Sequence, residues 1–303
     1  DVCSADLDPL ISSNQTEEFA NDSSIISIIG PLFSDEVISS AKIANSKKIP
    51  LLTPTATSDE ISPLGKYVFQ LSPSLSTQGK ALALYTSKEL KIKTVAILCS
   101  NERYARVMVE GFVQKWKEEG NIISIVEYYP TSASNLKEQM AASVAKNKKH
   151  PFEGLLIALG SSQEISMVTA QLKYYNFRLP IVGNSEWNDK VELNKNKRDA
   201  NNVYFTTDYF ENEQEVKSLS QLLQKNVSKF FIYGFDAFNF LYSIVEKYQR
   251  REEIVYQLSV ASKITSIHST ISLNGSNVNK NVDILQFSNG EINKIGEENV
   301  NHK

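Results

Sequence analysis

The sequence predicts an α/β protein made of two lobes, each with a parallel central sheet flanked by helices. Short apolar runs alternate with segments of helical periodicity, the order that joins parallel strands through helical crossovers. This series starts again near residue 94 with apolar strands of its own. The chain of 303 residues also exceeds what one hydrophobic core usually organises, so two domains are expected.

The first series forms the beginning of lobe one. Its patterns predict strands at residues 25–29, 49–53 and 67–71 and helices at 35–46 and 76–90. Ser34 is placed as the N-cap of the helix at 35–46, with Asp35 and Glu36 in the first turn, where acidic side chains are favoured.

The second series forms most of lobe two. It predicts strands at 94–99, 122–128, 154–159, 180–183 and 203–206 and helices at 104–120, 135–146 and 164–175. The later chain predicts helices at 231–248 and 252–261, then short antiparallel strands at 269–273 and 282–287. The aromatic stripe of the helix at 231–248, which includes Phe238, Phe240 and Tyr242, is expected to lie in the core.

Composition and motifs exclude several classes of function. A net charge of −3 does not favour nucleic-acid binding, and no apolar run has the length of a membrane span. The two cysteines, Cys3 and Cys99, are not expected to pair. The three histidines lack metal-ligand spacing, and no nucleophile elbow, Walker A loop or GxGxxG fingerprint occurs. We therefore expect no cofactor, no metal and no enzymatic activity.

Two strands end in polar, hydroxyl-rich turns that are expected to lead into helices. One turn runs from Gly30 to Ser34, and the other from Thr53 to Ser58. Ligands of open α/β sheets bind beyond the carboxyl ends of the strands, and a helix N-terminus with hydroxyl groups suits a carboxylate. The alternative is that Ser34, Thr57 and Ser58 are helix caps, and the sequence leaves both open.

The stretch IIGPLFSDEVISSAKIANSKKIPLLTPTATSDEIS resembles the type I periplasmic binding proteins, notably those for leucine, isoleucine and valine. Further matches are VFQLSPSLSTQGKALALYT, with Gln70 in place of the family's arginine, KTVAILCSNERYARVMVEGF and YGFDAFNFLYSIVE. The resemblance implies two Rossmann-like lobes joined by a hinge and closing on a ligand in the cleft between them. Lobe one would hold residues 1–91 and about 208–262, and lobe two residues 92–207 and about 263–303.

The resemblance also implies the ligand-binding residues of lobe one. Ser34, Thr55 and Thr57, with Ala56 between the two threonines, would hold a ligand carboxylate through hydroxyl and backbone N–H groups. The family's first strand and helix have no counterpart in this sequence. We therefore expect the native protein to contain residues before Asp1.

In lobe two the matched positions imply five further ligand-binding residues. Tyr104 belongs to the opening motif of the lobe, and Ser161 or Ser162 lies where the family usually supplies an aromatic contact. Glu186 lies where an acid often binds the ligand's α-amino group. Trp187 either stacks on the ligand or packs at the surface or hinge.

The function implied is capture of an amino acid or similar small polar solute for an ABC importer, with the ABC permease as partner. One departure opens an alternative, because Ser100 stands where the family has an acid for the ammonium group. The alternative is a sensor or regulator of the same fold, acting on an envelope enzyme in the manner of the activators of penicillin-binding proteins. Both hypotheses place the protein in the periplasm or outside the cell, anchored or not through a segment outside this sequence.

Overall fold

The structure is a computed structural model that describes residues 8–131, 133–210 and 213–300. The chain divides into two compact units and passes between them three times. Unit 1 contains residues 1–74 and 209–281, and unit 2 contains residues 75–208 and 282–303. The predicted limits at 91 and 262 therefore differ from those of the units.

Unit 1 is built on a parallel sheet of three strands in the order β1-β2-β3. These are β1 (Ile28–Ile29), β2 (Leu51–Thr53) and β3 (Val68–Gln70), with a second ribbon of β9 (Ile264–Thr265) and β10 (Thr270–Ile271). Its helices are α1 (Pro9–Asn21), α2 (Ser34–Ser46), α8 (Glu213–Leu223), α9 (Lys229–Val245) and α10 (Arg251–Val260). All three strands of the sheet lie within the predicted apolar runs.

Two apolar layers bury the sheet of unit 1. One contains Val37 and Ala41 of α2 with Leu51 and Val68 of the strands. The other contains Phe240 and Leu241 of α9 with Leu52, Phe69 and residues of α10, among others. Strands covered on both faces carry continuous apolar side chains, and this explains why the strand runs were visible in the sequence.

Unit 2 is built on a sheet of seven strands in the order β12-β11-β8-β7-β6-β4-β5. The strands are β4 (Thr94–Ser100), β5 (Ile122–Tyr129), β6 (Gly154–Ala158), β7 (Ile181–Gly183), β8 (Val203–Thr207), β11 (Asn281–Ser288) and β12 (Glu291–Asn299). Strands β4 to β8 are parallel, and β11 adds antiparallel to β8. The helices are α3 (Leu75–Lys88), α4 (Arg103–Glu118), α5 (Lys137–Lys149), α6 (Ile165–Tyr174) and α7 (Lys190–Lys195).

Helix α3 explains why the first boundary differs from the prediction. It was assigned to the first lobe by its place in the chain, but it packs closely against α4 of unit 2. Glycines make this crossing possible, since a Cβ added at Gly79 would lie 2.0 Å from the Met108 carbonyl oxygen. Leu82 of α3 and Phe112 of α4 then share the core of unit 2.

Candidate functional site

The carboxyl ends of β1 and β2 carry the first group of candidate residues in unit 1. Ser34 was predicted as the N-cap of its helix, but it is the first residue of α2. The N-cap is Phe33, which offers no side-chain hydrogen bond. The Ser34 hydroxyl instead accepts a hydrogen bond from the backbone N–H of Ser58 at 3.3 Å. The N–H groups of the first turn of α2 are thus left without a capping side chain, and such a turn attracts anions.

The turn after β2 is held in place by its own hydroxyl groups and by a buried glutamine. The Thr55 hydroxyl donates to the Leu32 carbonyl, so it ties this turn to the turn after β1. The backbone N–H of Ala56 donates to the Thr53 hydroxyl at 3.3 Å. Gln70, which is fully buried, donates through Nε2 to the carbonyls of Ala56 at 3.2 Å and Ser58 at 2.9 Å.

Thr57 differs from the other residues of this turn. It is partly exposed, and its hydroxyl has no hydrogen-bond partner among the residues that the structure describes. No helix begins at Thr57 or Ser58 in this part of the chain, where the next helical turn is Ser62–Leu64. The helix-cap interpretation of these two residues is therefore wrong. Thr57 remains able to donate a hydrogen bond to a ligand.

The carboxyl ends of β4, β6 and β7 carry the second group, in unit 2. The Tyr104 hydroxyl, near the start of α4, donates to the Gly160 carbonyl that follows β6. Burial raises the pKa of Tyr104, and the negative charges of three nearby carboxylates raise it further; these belong to Glu186, Glu102 and Glu164. The structure therefore gathers three acidic side chains around one protonated phenol, and this arrangement favours a positively charged group.

Glu102 and Glu164 were not predicted as site residues. Glu102 lies two residues after Ser100, which stands where the family has an acid. The backbone N–H of Glu102 donates a hydrogen bond to the Ser100 hydroxyl at 3.4 Å. Glu164 accepts hydrogen bonds from the Tyr129 hydroxyl at 2.6 Å and from the Gly160 N–H at 2.9 Å. Glu164 is thus engaged within unit 2, whereas Glu102 places a second, partly exposed carboxylate close to Ser100 in the chain.

Ser161 and Ser162 lie in the turn between β6 and α6. The Ser161 hydroxyl caps the short helical turn Ser162–Glu164, accepting from the Gln163 N–H at 3.2 Å. Ser162 is partly exposed at the start of that turn. The turn is held against the end of β7 by Asn184, whose side chain bonds both the N–H and the carbonyl of Leu159, at 3.0 and 2.9 Å. Both serines are partly exposed, but within the described residues the Ser162 hydroxyl has no hydrogen bond, so it is available to a ligand.

Glu186 and Trp187 share the turn after β7 but differ in exposure. Glu186 is partly exposed. Trp187 is fully buried, and its indole N–H donates to the Ile157 carbonyl at 2.9 Å. The ring lies against Gly183, where an added Cβ would come within 2.2 Å of the indole. Stacking of Trp187 on a ligand is therefore a wrong prediction, because the side chain fills the interior of unit 2.

A buried histidine–aspartate pair in unit 1 was not predicted. His268 Nδ1 lies 2.5 Å from a carboxylate oxygen of Asp236 on α9. The same carboxylate accepts from the backbone N–H groups of Ile267 and His268, at 3.0 and 3.1 Å. The rings of Tyr209 and Tyr233 enclose the imidazole. With both residues about 3% exposed, the pair fastens this segment to α9.

The described residues show neither a metal site nor a membrane span. In the three ranges given above, no group of three or more His, Cys, Asp or Glu side chains is placed to hold a metal ion. Within the same ranges, no helix has the length and apolar character needed to cross a membrane. Cys99 is a buried free thiol, and Cys3 lies outside the described residues.

A family model described as the receptor family ligand binding region matches residues 4–291. No curated protein matches the chain. Among solved structures, the chain is similar to a leucine-binding protein of Thermotoga maritima, with 19% identity and a TM-score of 0.68 over 97% of this chain and 85% of that one. It is also similar to a putative branched-chain amino acid ABC transporter of Rhodospirillum rubrum, with 14% identity and a TM-score of 0.84 over 95% and 85%. A third is a branched-chain amino acid ABC transporter periplasmic ligand-binding protein of Burkholderia xenovorans, with 11% identity and a TM-score of 0.76 over 97% and 82%. At these identities the solved structures show a shared fold.

Proposed function

We propose that this chain, which belongs to the receptor family of ligand-binding regions, captures an amino acid or a similar small polar solute for an ABC importer. The observation that carries the proposal is the uncapped N-terminus of α2 beside the hydroxyl-rich turn that follows β2. The fold supplies the setting, since the matched family and the similar structures are receptors and binding proteins.

The edge of unit 1 suits a carboxylate. The first turn of α2 carries a partial positive charge and N–H groups that no side chain caps. Thr57 adds a hydroxyl donor without a partner among the described residues. The hydrogen bonds from Thr55 and Gln70 fix the turn before any ligand arrives, so little conformational entropy is lost on binding.

The edge of unit 2 suits an ammonium group. Glu102 and Glu186 both act electrostatically on Tyr104, and Glu186 is partly exposed. Glu164 is bonded to Tyr129 and Gly160, and we assign cation binding to Glu102 and Glu186 on the strength of their charges near Tyr104. Each edge, taken within its own unit, therefore suits one of the two charged groups that an amino acid carries.

The similar structures indicate a branched-chain amino acid as the first solute to test, since their names refer to leucine or to branched-chain amino acid transport. The same comparison supports a location outside the cytoplasm, because one of these proteins is named as periplasmic. An ABC permease is then the partner that receives the solute.

A thermal-shift panel tests the proposal. The chain is heated with each common amino acid, with the amide and N-acetyl derivatives of leucine, and with neutral sugars. A ligand that binds only the folded state at a hundredfold excess over its Kd adds about 2.7 kcal/mol, which raises the melting midpoint by several degrees. We expect the shift for an amino acid and a smaller one when either charged group is blocked.

Two variants refine the test. Glu186→Gln should reduce the shift, because it removes a negative charge at the proposed ammonium site. Glu118→Gln is the matched control, since Glu118 is exposed at the last residue of α4, about 20 Å along that helix from Tyr104. A folded protein that no amino acid stabilises would refute the proposal and favour the sensor or regulator of the same fold.

A further inference from the structure

A cavity lies within unit 2, at the end of the sheet opposite the strand ends that carry the candidate residues of this unit. Its volume is about 580 Å³, within the range of about 300–1,000 Å³ that small-molecule sites occupy. It is lined by the residues that lead into β7 and β8 and by the first residues of β6. The five residues of β6 span about 16 Å, so this cavity is distinct from the carboxyl edge where Gly160 lies.

The floor and one wall of this cavity are apolar. Leu155, Leu172 and Ile181 form the floor and are almost fully buried. Phe177 stands at the wall and is held by stacking on Phe152, with ring centroids 6.0 Å apart. An aromatic ring or a short aliphatic chain bound here would move from water into contact with apolar side chains, which is energetically favourable. The cavity therefore favours a ligand with an organic part.

The rim is positively charged. Lys173, Arg178 and Arg198 line the cavity together with a single carboxylate, that of Asp199. Lys173 is already paired with Asp199, at 3.0 Å. Among the residues that the structure describes, neither guanidinium group is paired with a carboxylate, in a chain whose net charge is −3.

A role in capping helices does not explain these two arginines. Cations often lie at helix C-termini, and both residues follow helices, Arg178 after α6 and Arg198 after α7. Within the described ranges, however, the Arg178 side chain donates only to the Asn176 amide oxygen, at 3.2 Å, and Arg198 has no hydrogen bond. Neither one binds a carbonyl at the end of its helix.

We propose that this cavity is a binding site for a small organic anion, with its phosphate or carboxylate group on Arg178 and Arg198 and its apolar body against Phe177. The planar guanidinium group can bind two oxygens of a carboxylate or a phosphate at once, which the lysine ammonium group does not match. The site is independent of the proposed amino-acid site and of any closure on that ligand.

Calorimetric titration with phenyl phosphate tests the site, with inorganic phosphate and phenol as the two halves of the probe. We expect saturable binding of one phenyl phosphate per chain, and at least tenfold weaker binding of each half. Arg178→Gln with Arg198→Gln should weaken phenyl phosphate binding by about a hundredfold, taking about tenfold for each charge-assisted contact. Equal binding of inorganic phosphate would overturn the organic part of the assignment.

The matched control is Lys148→Gln with Lys149→Gln, which removes two exposed cations from α5 of the same unit. Phenyl phosphate affinity should stay within twofold of the parent in this variant and in Glu186→Gln. An equal loss in the lysine variant would show general charge attraction and overturn the site. Absence of phenyl phosphate binding to the folded parent chain would overturn it as well.

Discussion

Replacing Gly79 by alanine tests the close crossing of α3 and α4 that forms the core of unit 2. In an ordinary helix this change stabilises the folded state by about 1 kcal/mol, because alanine restricts the unfolded chain more than glycine does. At Gly79 the added Cβ would lie 2.0 Å from the Met108 carbonyl oxygen and 2.7 Å from the Phe112 nitrogen. Both are backbone atoms, so the clash with the added Cβ can be relieved only if the two helices separate.

Separating α3 from α4 would loosen the packing of the buried side chains between them, among them Leu82 and Phe112. Overpacking of a core usually costs about 1–3 kcal/mol, and a clash with backbone belongs at the upper end. We therefore expect Gly79→Ala to lower the free energy of unfolding by about 3 kcal/mol, the reverse of the usual sign.

Urea unfolding followed by circular dichroism measures this difference. Gly234→Ala is the matched control, because Gly234 lies inside α9 and an added Cβ there meets no atom within 4 Å. This control should unfold at the same or a higher urea concentration than the parent. If Gly79→Ala also unfolds at the parent's midpoint or above it, the close crossing is not a feature of the molecule.

Three further predictions concern single side chains in the interior or at the strand ends of unit 2. Burial raises the pKa of the Cys99 thiol to about 12 from an ordinary value near 9; its contribution to stability should be complete below pH 9 and lost as the pH rises toward 12. In a Cys3→Ser background, a thiol reagent at pH 8 should label Cys99 only after urea is added, and rapid labelling of the native protein would contradict its burial. Trp187→Phe should cost about 2 kcal/mol in urea unfolding, through a lost hydrogen bond and an unpaired carbonyl, and leave ligand affinity unchanged; lost affinity at full stability would restore the indole to the site. Glu164→Gln should cost about 1.5 kcal/mol by the same measurement, because a charged acceptor of the Tyr129 hydroxyl becomes neutral, and an unaltered midpoint would argue against this bond.

The sequence predicted the buried strands well and the polar edge elements poorly. The run at 154–159 contains β6 (Gly154–Ala158), because a strand covered on both faces is apolar throughout. Strand β12 (Glu291–Asn299) was missed, since it lies at the edge of the sheet and carries charged side chains along an exposed face. The short polar helix α7 gave no pattern to detect. The prediction that the aromatic stripe of α9 lies in the core was half right, because Phe240 is buried and Tyr242 is half exposed.

The candidate site was predictable as a location but not as a set of contacts. Strand ends in parallel sheets meet at one edge, so the turns after β1 and β2 were identified from their order alone. The hydrogen bonds from Gln70 to the turn depend on a side chain 14 residues away from Ala56 and have no local signature. In unit 2 the charges of Glu164 and Glu186 act on Tyr104 because the ends of β4, β6 and β7 meet at one edge, and residues so far apart in the chain have no local signature.

The measurement that tests the central claim most directly is calorimetric titration with the most stabilising amino acid of the panel and with its carboxamide. The proposed site predicts one molecule bound per chain, with the free acid at least tenfold tighter than the amide. Thr57→Ala should weaken binding of the acid by about five- to tenfold through one lost hydrogen bond to a charged group. Ser46→Ala, at the other end of α2, should leave it unchanged. Equal affinity for acid and amide, or an undiminished affinity in Thr57→Ala, would contradict carboxylate recognition at the edge of unit 1.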